Sequence, residues 1–257
     1  MSPQPSTLTR ASKKRRTHER VLANAIALFR LRGIRAAKLS EVASSSEIAP
    51  ATLFNYFPTK GCLAEAWVRG EIAEILDHVI EDAADHDRSL RAAVRAACRQ
   101  LAALSAAEPG LRLEAWQEAG RAPQRVAGEE PESILVRDLR EEQKRERVRQ
   151  DVEAVDLAST LLDAIEGGLI QGLQQASGRA SGHEPARGER DAEPSEALLA
   201  AELTRSIRTR VDLVLDGFRK RNERVSASAA RPPAGPSHSR QPAVSRGSGA
   251  TRPAPST

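Results

Sequence analysis

Aromatic residues are scarce: four Phe, two Trp and one Tyr in 257 residues. A core must therefore be built from Ala, Leu, Val and Ile, and Ala and Leu stand among the strongest helix formers. There are only two cysteines, Cys62 and Cys98. Two distant thiols with no CxxC and no Cys/His cluster make neither a disulfide framework nor a zinc site. No apolar run approaches the ~20 residues that a membrane-spanning helix requires. The basic N-terminus is not followed by an apolar segment, so no secretory signal is expected and a reducing, cytoplasmic setting is. No stretch alternates apolar and polar residues as a half-buried strand does. HExxH, GxSxG and phosphate-loop motifs are absent, and His18, His78, His86, His183 and His238 are scattered. No catalytic residue, metal ligand or cofactor is expected, and the chain does not read as an enzyme.

Charge is present but unevenly placed. Residues 1–38 hold ten Lys/Arg against one acid, Glu19, and residues 220–257 hold seven against one, Glu223. The net charge is +4, so the residues between carry a net −11. A basic beginning on an acidic body points to a polyanion-binding end, although basic tails also serve simply as solubilising segments.

Helical periodicity sets in at Thr17. Val21, Leu22, Ala25, Leu28 and Phe29 recur at spacings of three and four, and Gly33 sits where a helix ends. Residues 1–16, with the run Lys13-Lys14-Arg15-Arg16, read as a disordered arm. Leu39, Val42 and Ala43 mark a short second helix. Pro50, suited to a first helical position, opens a third that carries Leu53 and Phe57. Pro58 stops it, and Thr59 is placed to cap a long fourth helix from Leu63 to Val79. Further helices are predicted over 88–106, 111–120, 132–149, 151–176 and 195–219. Residues 123–131 and the Gly/Ser/Glu/Arg-rich 177–194 read as loops, and the Ser/Pro/Ala-rich 220–257 as a disordered tail. The fold class is all-α.

Residues 38–57 are the informative part: two short helices joined by a tight turn, too small to fold without a supporting helix on either side. That is the arrangement in which a helix-turn-helix offers a recognition helix to the major groove. The run Ala49-Pro50-Ala51-Thr52-Leu53-Phe54-Asn55-Tyr56-Phe57-Pro58-Thr59-Lys60 resembles the recognition helix and following turn of the TetR family, whose pattern is a small residue, then x-x-Thr-Leu-Tyr-x-Tyr-Phe-x-x-Lys. Ala25, Leu28-Phe29, Gly33 and Val42-Ala43 sit at the family's spacing upstream, so the resemblance covers about residues 15–75. Some positions depart from it. Ala37-Lys38 stand where the family has two threonines, and Ser46-Glu47-Ile48 where it has an Ala-Gly-Val turn. Ala49 replaces the usual Ser cap, and Gly61-Cys62 the usual acidic residues. Glu47 in a glycine geometry is expected to be strained by ~1 kcal/mol, and a lost cap costs a similar ~1 kcal/mol.

The resemblance implies an N-terminal three-helix DNA-binding head (15–75, motif 38–57) between a basic arm (1–14) and a larger helical ligand-binding and dimerisation domain (76–219). Tyr56 and Lys60 would then contact phosphates, and Thr52 a phosphate or a base edge. Asn55 has the amide that matches adenine. Ala49, Pro50 and Ala51 are small enough to approach the backbone or a thymine methyl, and Lys38 adds a further phosphate contact. The basic arm would contribute salt-sensitive affinity. Leu53, Phe54 and Phe57 read as core, Tyr56 serves equally as packing, and Asn55 as a solvated helix residue. The implied partners are double-stranded operator DNA, a small-molecule effector whose identity the sequence does not disclose, and a second copy of the chain, with no membrane. By the same resemblance, helices 151–176 and 195–219 would dimerise through leucine faces left over by one chain, the alternative being that they only close the core of a single chain, and helices between 70 and 176 would enclose the effector. Trp116 is a candidate pocket wall or a core residue; Arg112 and Glu114 read as surface. Cys62 is a candidate redox thiol. The departures at Glu47 and Ala49 leave a second reading open: a helical interaction protein of the same fold with weakened or lost DNA binding.

Overall fold

The computed structural model describes residues 9–86, 88–123, 133–182 and 195–219. In chain order the helices are α1 (Arg10–Arg32), α2 (Leu39–Ser45), α3 (Pro50–Tyr56), α4 (Lys60–Asp85), α5 (Leu90–Ala107), α6 (Pro109–Ala119), α7 (Ile134–Lys144), α8 (Ala154–Gly182) and α9 (Glu196–Gly217). Among the described residues there is no strand. One isolated antiparallel bridge ties Val148 to Arg219. No described helix is long and apolar enough to cross a membrane. The protein is all-α, with an N-terminal helix-turn-helix head followed by a larger helical body.

The head is α1 to α3 together with the start of α4. Val21, Ala25 and Phe29 of α1, Val42 and Ala43 of α2, and Leu53 and Phe57 meet Leu63 and Trp67 of α4 in one buried cluster. Gly33 ends α1 at φ 76°, a left-handed conformation open to glycine, and its N–H reaches the carbonyl of Phe29. In the body, α5, α8 and α9 bury Val94, Cys98, Leu101, Leu161, Ile165, Leu169, Leu203, Ile207 and Val211. Ser206 Oγ donates to the carbonyl of Gly168 at 2.9 Å, which marks how closely α8 and α9 lie.

Three expectations change. The arm is helical from Arg10, so Lys13 to Arg16 lie on α1. Thr9 caps it by accepting from Ser12 N–H, and Arg15 pairs with Glu19 one turn on at 3.4 Å. A basic run looks like a solvated tail in sequence, yet Lys and Arg are good helix formers. Second, α8 continues to Gly182, taking in residues 177–182 that read as loop. The remainder of that loop, residues 124–132, residues 1–8 and the tail from 220 lie outside the described residues. Third, the leucine faces of α8 and α9 are buried inside the chain rather than left over. What these helices expose includes Val155, Leu198 and Leu213, with Asp156 and Asp163 on α8 and Arg205 and Arg208 on α9.

Candidate nucleic-acid interface

α2 and α3 are held from behind. Asn24 of α1 donates to the carbonyl of Ser45 at 2.9 Å and to Ser46 Oγ at 3.1 Å, so the fully buried Ser46 at the end of α2 is tied to the supporting helix. At the start of α2, Glu41 accepts from Lys38 N–H at 3.1 Å. A Lys side chain has no acceptor, so only this half of a capping box is made. The turn then closes through Ser46 N–H to Val42 O at 3.0 Å and Ile48 N–H to Ala43 O at 3.1 Å. Glu47 sits in that turn at φ 52°, the strained geometry expected where the family has glycine. Ala49 occupies the N-cap of α3 with no side-chain hydrogen bond, and Pro50 follows at the first helical position.

The inward face of α3 is Leu53, with Phe57 just beyond it, both essentially inaccessible. The outward stripe is Pro50, Ala51, Phe54 and Asn55, and Ala49 and Lys38 are exposed beside it. Thr52 and Tyr56 are half-buried on its flanks. The expectation that Phe54 is core is wrong: it is 49% exposed. The His18 ring packs on Phe57 at 4.6 Å between centroids and stands 6.5 Å from the Tyr56 ring. Tyr56 is thus a packing residue of the α1–α3 contact that keeps one edge at the surface.

Lys60 also has a part in the fold. Its ammonium donates to the carbonyls of Arg35 at 2.9 Å and Ala37 at 3.2 Å. It satisfies the turn between α1 and α2 rather than projecting away from the head. Thr59 caps α4 as expected, accepting from Cys62 N–H at 3.2 Å, and its hydroxyl is also 3.2 Å from the Cys62 sulfur. On α1 the exposed Lys13, Lys14, Arg15, Arg16 and Arg20 line the approach to the head with positive charge.

This arrangement is a helix-turn-helix on a three-helix platform. Residues 21–67 match the family model described as bacterial regulatory proteins, tetR family. The head is of the TetR type over those residues. No curated protein sequence matches it. Among solved structures it resembles the Thermus thermophilus TetR-family transcriptional repressor FadR in complex with lauroyl-CoA, at 21% identity and TM-score 0.52, covering 86% of this chain and all of that one. It also matches CprB of S. coelicolor at 20% identity and TM-score 0.36, covering 83% of this chain and 95% of that one. The match to SmeT, the repressor of the Stenotrophomonas maltophilia efflux pump SmeDEF, has 14% identity and TM-score 0.39, covering 80% and 91%. TetR-family proteins are transcription regulators, and this chain has their fold.

The body side of the TetR-type head holds residues that sequence reasoning misplaced. Glu114 on α6 accepts from the backbone N–H of Ile34 at 3.2 Å, and lies 3.9 Å from Arg35. Glu108, just before α6, pairs with Arg30 of α1 at 3.0 Å. Arg112, read as surface, is only 3% exposed. It pairs with Glu71 of α4 through both terminal nitrogens, and its guanidinium stands 4.7 Å from the Trp67 ring centroid. Trp116 is buried in the core, the plainer of its two expected roles. Gly61 is buried against the end of α6: a methyl there would stand 2.8 Å from the carbonyl oxygen of Glu118. α6 thus touches α1, the α1–α2 turn and the start of α4. A cavity of about 170 Å³ opens beside these contacts, lined by Leu22, Ile26, Arg30, Trp67, Gly70 and Glu74 among others.

Proposed function

We propose that the protein is a dimeric, sequence-specific DNA-binding transcription regulator, a repressor that leaves its operator when a small molecule binds its body. The observation that carries this reading is the outward stripe of α3, held rigidly over the buried Leu53 and Phe57 and flanked by cations. Asn55 is the stripe's bidentate hydrogen-bonding group and matches an adenine edge. Pro50, Ala51 and Ala49 permit close approach, while Tyr56 and Lys38 are assigned to backbone phosphates and Thr52 to a phosphate or a base edge. Lys60 acts at one remove, by fixing the α1–α2 turn. The basic face of α1 adds counterion-releasing contacts that carry no sequence information.

Dimerisation follows from the geometry of DNA, in which two such helices ~34 Å apart read a palindrome. The exposed apolar residues Val155 of α8 and Leu198 and Leu213 of α9 suit a two-fold contact that lays α8 of one copy on α9 of its mate. FadR, which shares this fold, is found in complex with lauroyl-CoA, which supports a small-molecule effector here. Movement of α6 on effector binding would pull on Glu108–Arg30, on Glu114–Ile34 and on the Gly61–Glu118 contact together.

The test is a titration of the duplex upstream of the protein's own coding sequence against a scrambled duplex, with the mass of the complex measured by ultracentrifugation. A preference of roughly 10³ or more, with two chains per site, is expected for specific binding. Equal affinity for both duplexes would favour the other reading, an interaction protein that keeps the fold without DNA recognition, for which Glu47 and Ala49 speak.

A further inference from the structure

Of the described large apolar side chains left exposed, one stands on α3: Phe54. Its exposure is fixed by the helix. Leu53 and Phe57, one turn apart, must both face the core, and this turns the residue after Leu53 toward solvent. The fold gains little from an aromatic ring there, since Phe54 has no place in the buried cluster that holds α3. A phenyl ring at the centre of the outward stripe is nonetheless well suited to a contact. It has few rotamers to lose and a large apolar surface to bury.

The chemistry of the ring narrows what it meets. Phe54 has no hydrogen-bonding atom, so it forms no hydrogen bond with a phosphate or a polar base edge. The major groove offers one apolar group to such a side chain, the C5-methyl of thymine. Ala51, one turn before on the same stripe, and Pro50 leave the ring room to reach a base edge, and Asn55 beside it carries the amide that reads adenine. Exposed cations on α1 and at Lys38 match the charge of a duplex.

Resting on the proposed DNA-binding function, we propose that Phe54 is a specificity-determining residue that packs on the C5-methyl of a thymine, next to the base pair read by Asn55. The preferred half-site then contains adjacent A·T pairs whose thymine methyl is itself recognised.

The experiment selects duplex sites from a random library with the full-length protein. It then replaces each thymine of the selected site singly by deoxyuridine, which removes only the methyl group. Wild type and Phe54→Ala are titrated on each duplex, and a thermal melt of both proteins checks the fold. One thymine per half-site is expected at which deoxyuridine weakens wild type roughly fourfold, the worth of one buried methyl. Phe54→Ala is expected to bind the parent site more weakly, to be indifferent to that replacement and to keep its non-specific affinity. If wild type selects a site but no thymine shows a methyl effect that depends on Phe54, this inference is overturned and the DNA-binding function stands. If wild type selects no site at all, both fall.

Discussion

The carboxylate of Glu114 on α6 accepts a hydrogen bond from the backbone N–H of Ile34, in the turn that joins α1 to α2. Eighty residues separate the two, and the bond joins the body to the head. Lys60 holds the same turn from the other side, through the carbonyls of Arg35 and Ala37. Glu114→Ala is expected to leave the Ile34 amide without its partner at a cost of about 1 kcal/mol, reduced from larger values by partial exposure. That corresponds to a fall of roughly 2–4 °C in Tm for a chain of this size. Hydrogen exchange at the Ile34 amide should accelerate about fivefold. Glu114→Gln keeps an acceptor oxygen and should recover much of both.

Gly61→Ala tests the contact of α4 with α6. The added methyl would lie 2.8 Å from Glu118 O and 3.0 Å from Ala122 N, and backbone cannot rotate aside as a side chain would. Overpacking of this kind costs about 1–3 kcal/mol. A melting temperature unchanged within a degree would show that the two helices are looser than described.

The α2–α3 turn holds two correctable defects. Glu47→Gly removes the steric cost of a side chain at φ 52°, and Ala49→Ser supplies the missing cap of α3. Each should stabilise the protein by about 0.5–1 kcal/mol, and chemical denaturation of the single and double variants measures it. Glu47→Gly also removes an exposed acid beside the recognition stripe, so DNA affinity should rise with it.

The two thiols should differ sharply in reactivity. Burial, and next the nearby Asp212, push the Cys98 thiol up to about 12, so it stays protonated and shielded. Cys62 is partly exposed at the start of α4. At pH 8, Ellman's reagent should titrate one thiol in the native protein and the second only in denaturant. Rapid reaction of both would contradict the packing of α5 against α9.

How far sequence alone reaches is seen in the contrast between Phe57 and Glu114. Phe57, Leu53, Val42 and the α9 series from Leu199 to Leu215 were legible because burial repeats locally with the helix period. The same period, followed strictly, already turns Phe54 outward; treating every aromatic as core concealed it. The start of α1 was hidden because a run of Lys and Arg looks alike in a helix and in a solvated tail. Glu114, Arg112 and Lys60 act through partners 80, 41 and 23–25 residues away, and no local pattern encodes such pairs. Apart from Phe54, the outward stripe of α3 was nevertheless legible, since its residues fall within one short helix.

The most direct measurement is the affinity of wild type, Asn55→Ala and Lys38→Ala for a selected duplex and a scrambled one across a range of salt concentrations. Asn55→Ala should lose about 1–3 kcal/mol on the selected duplex and almost nothing on the scrambled one, with an unchanged salt slope. Lys38→Ala should weaken both duplexes alike and lower the salt slope by about one. If Asn55→Ala leaves the preference intact, or weakens both duplexes equally, the outward face of α3 is not the surface that reads DNA.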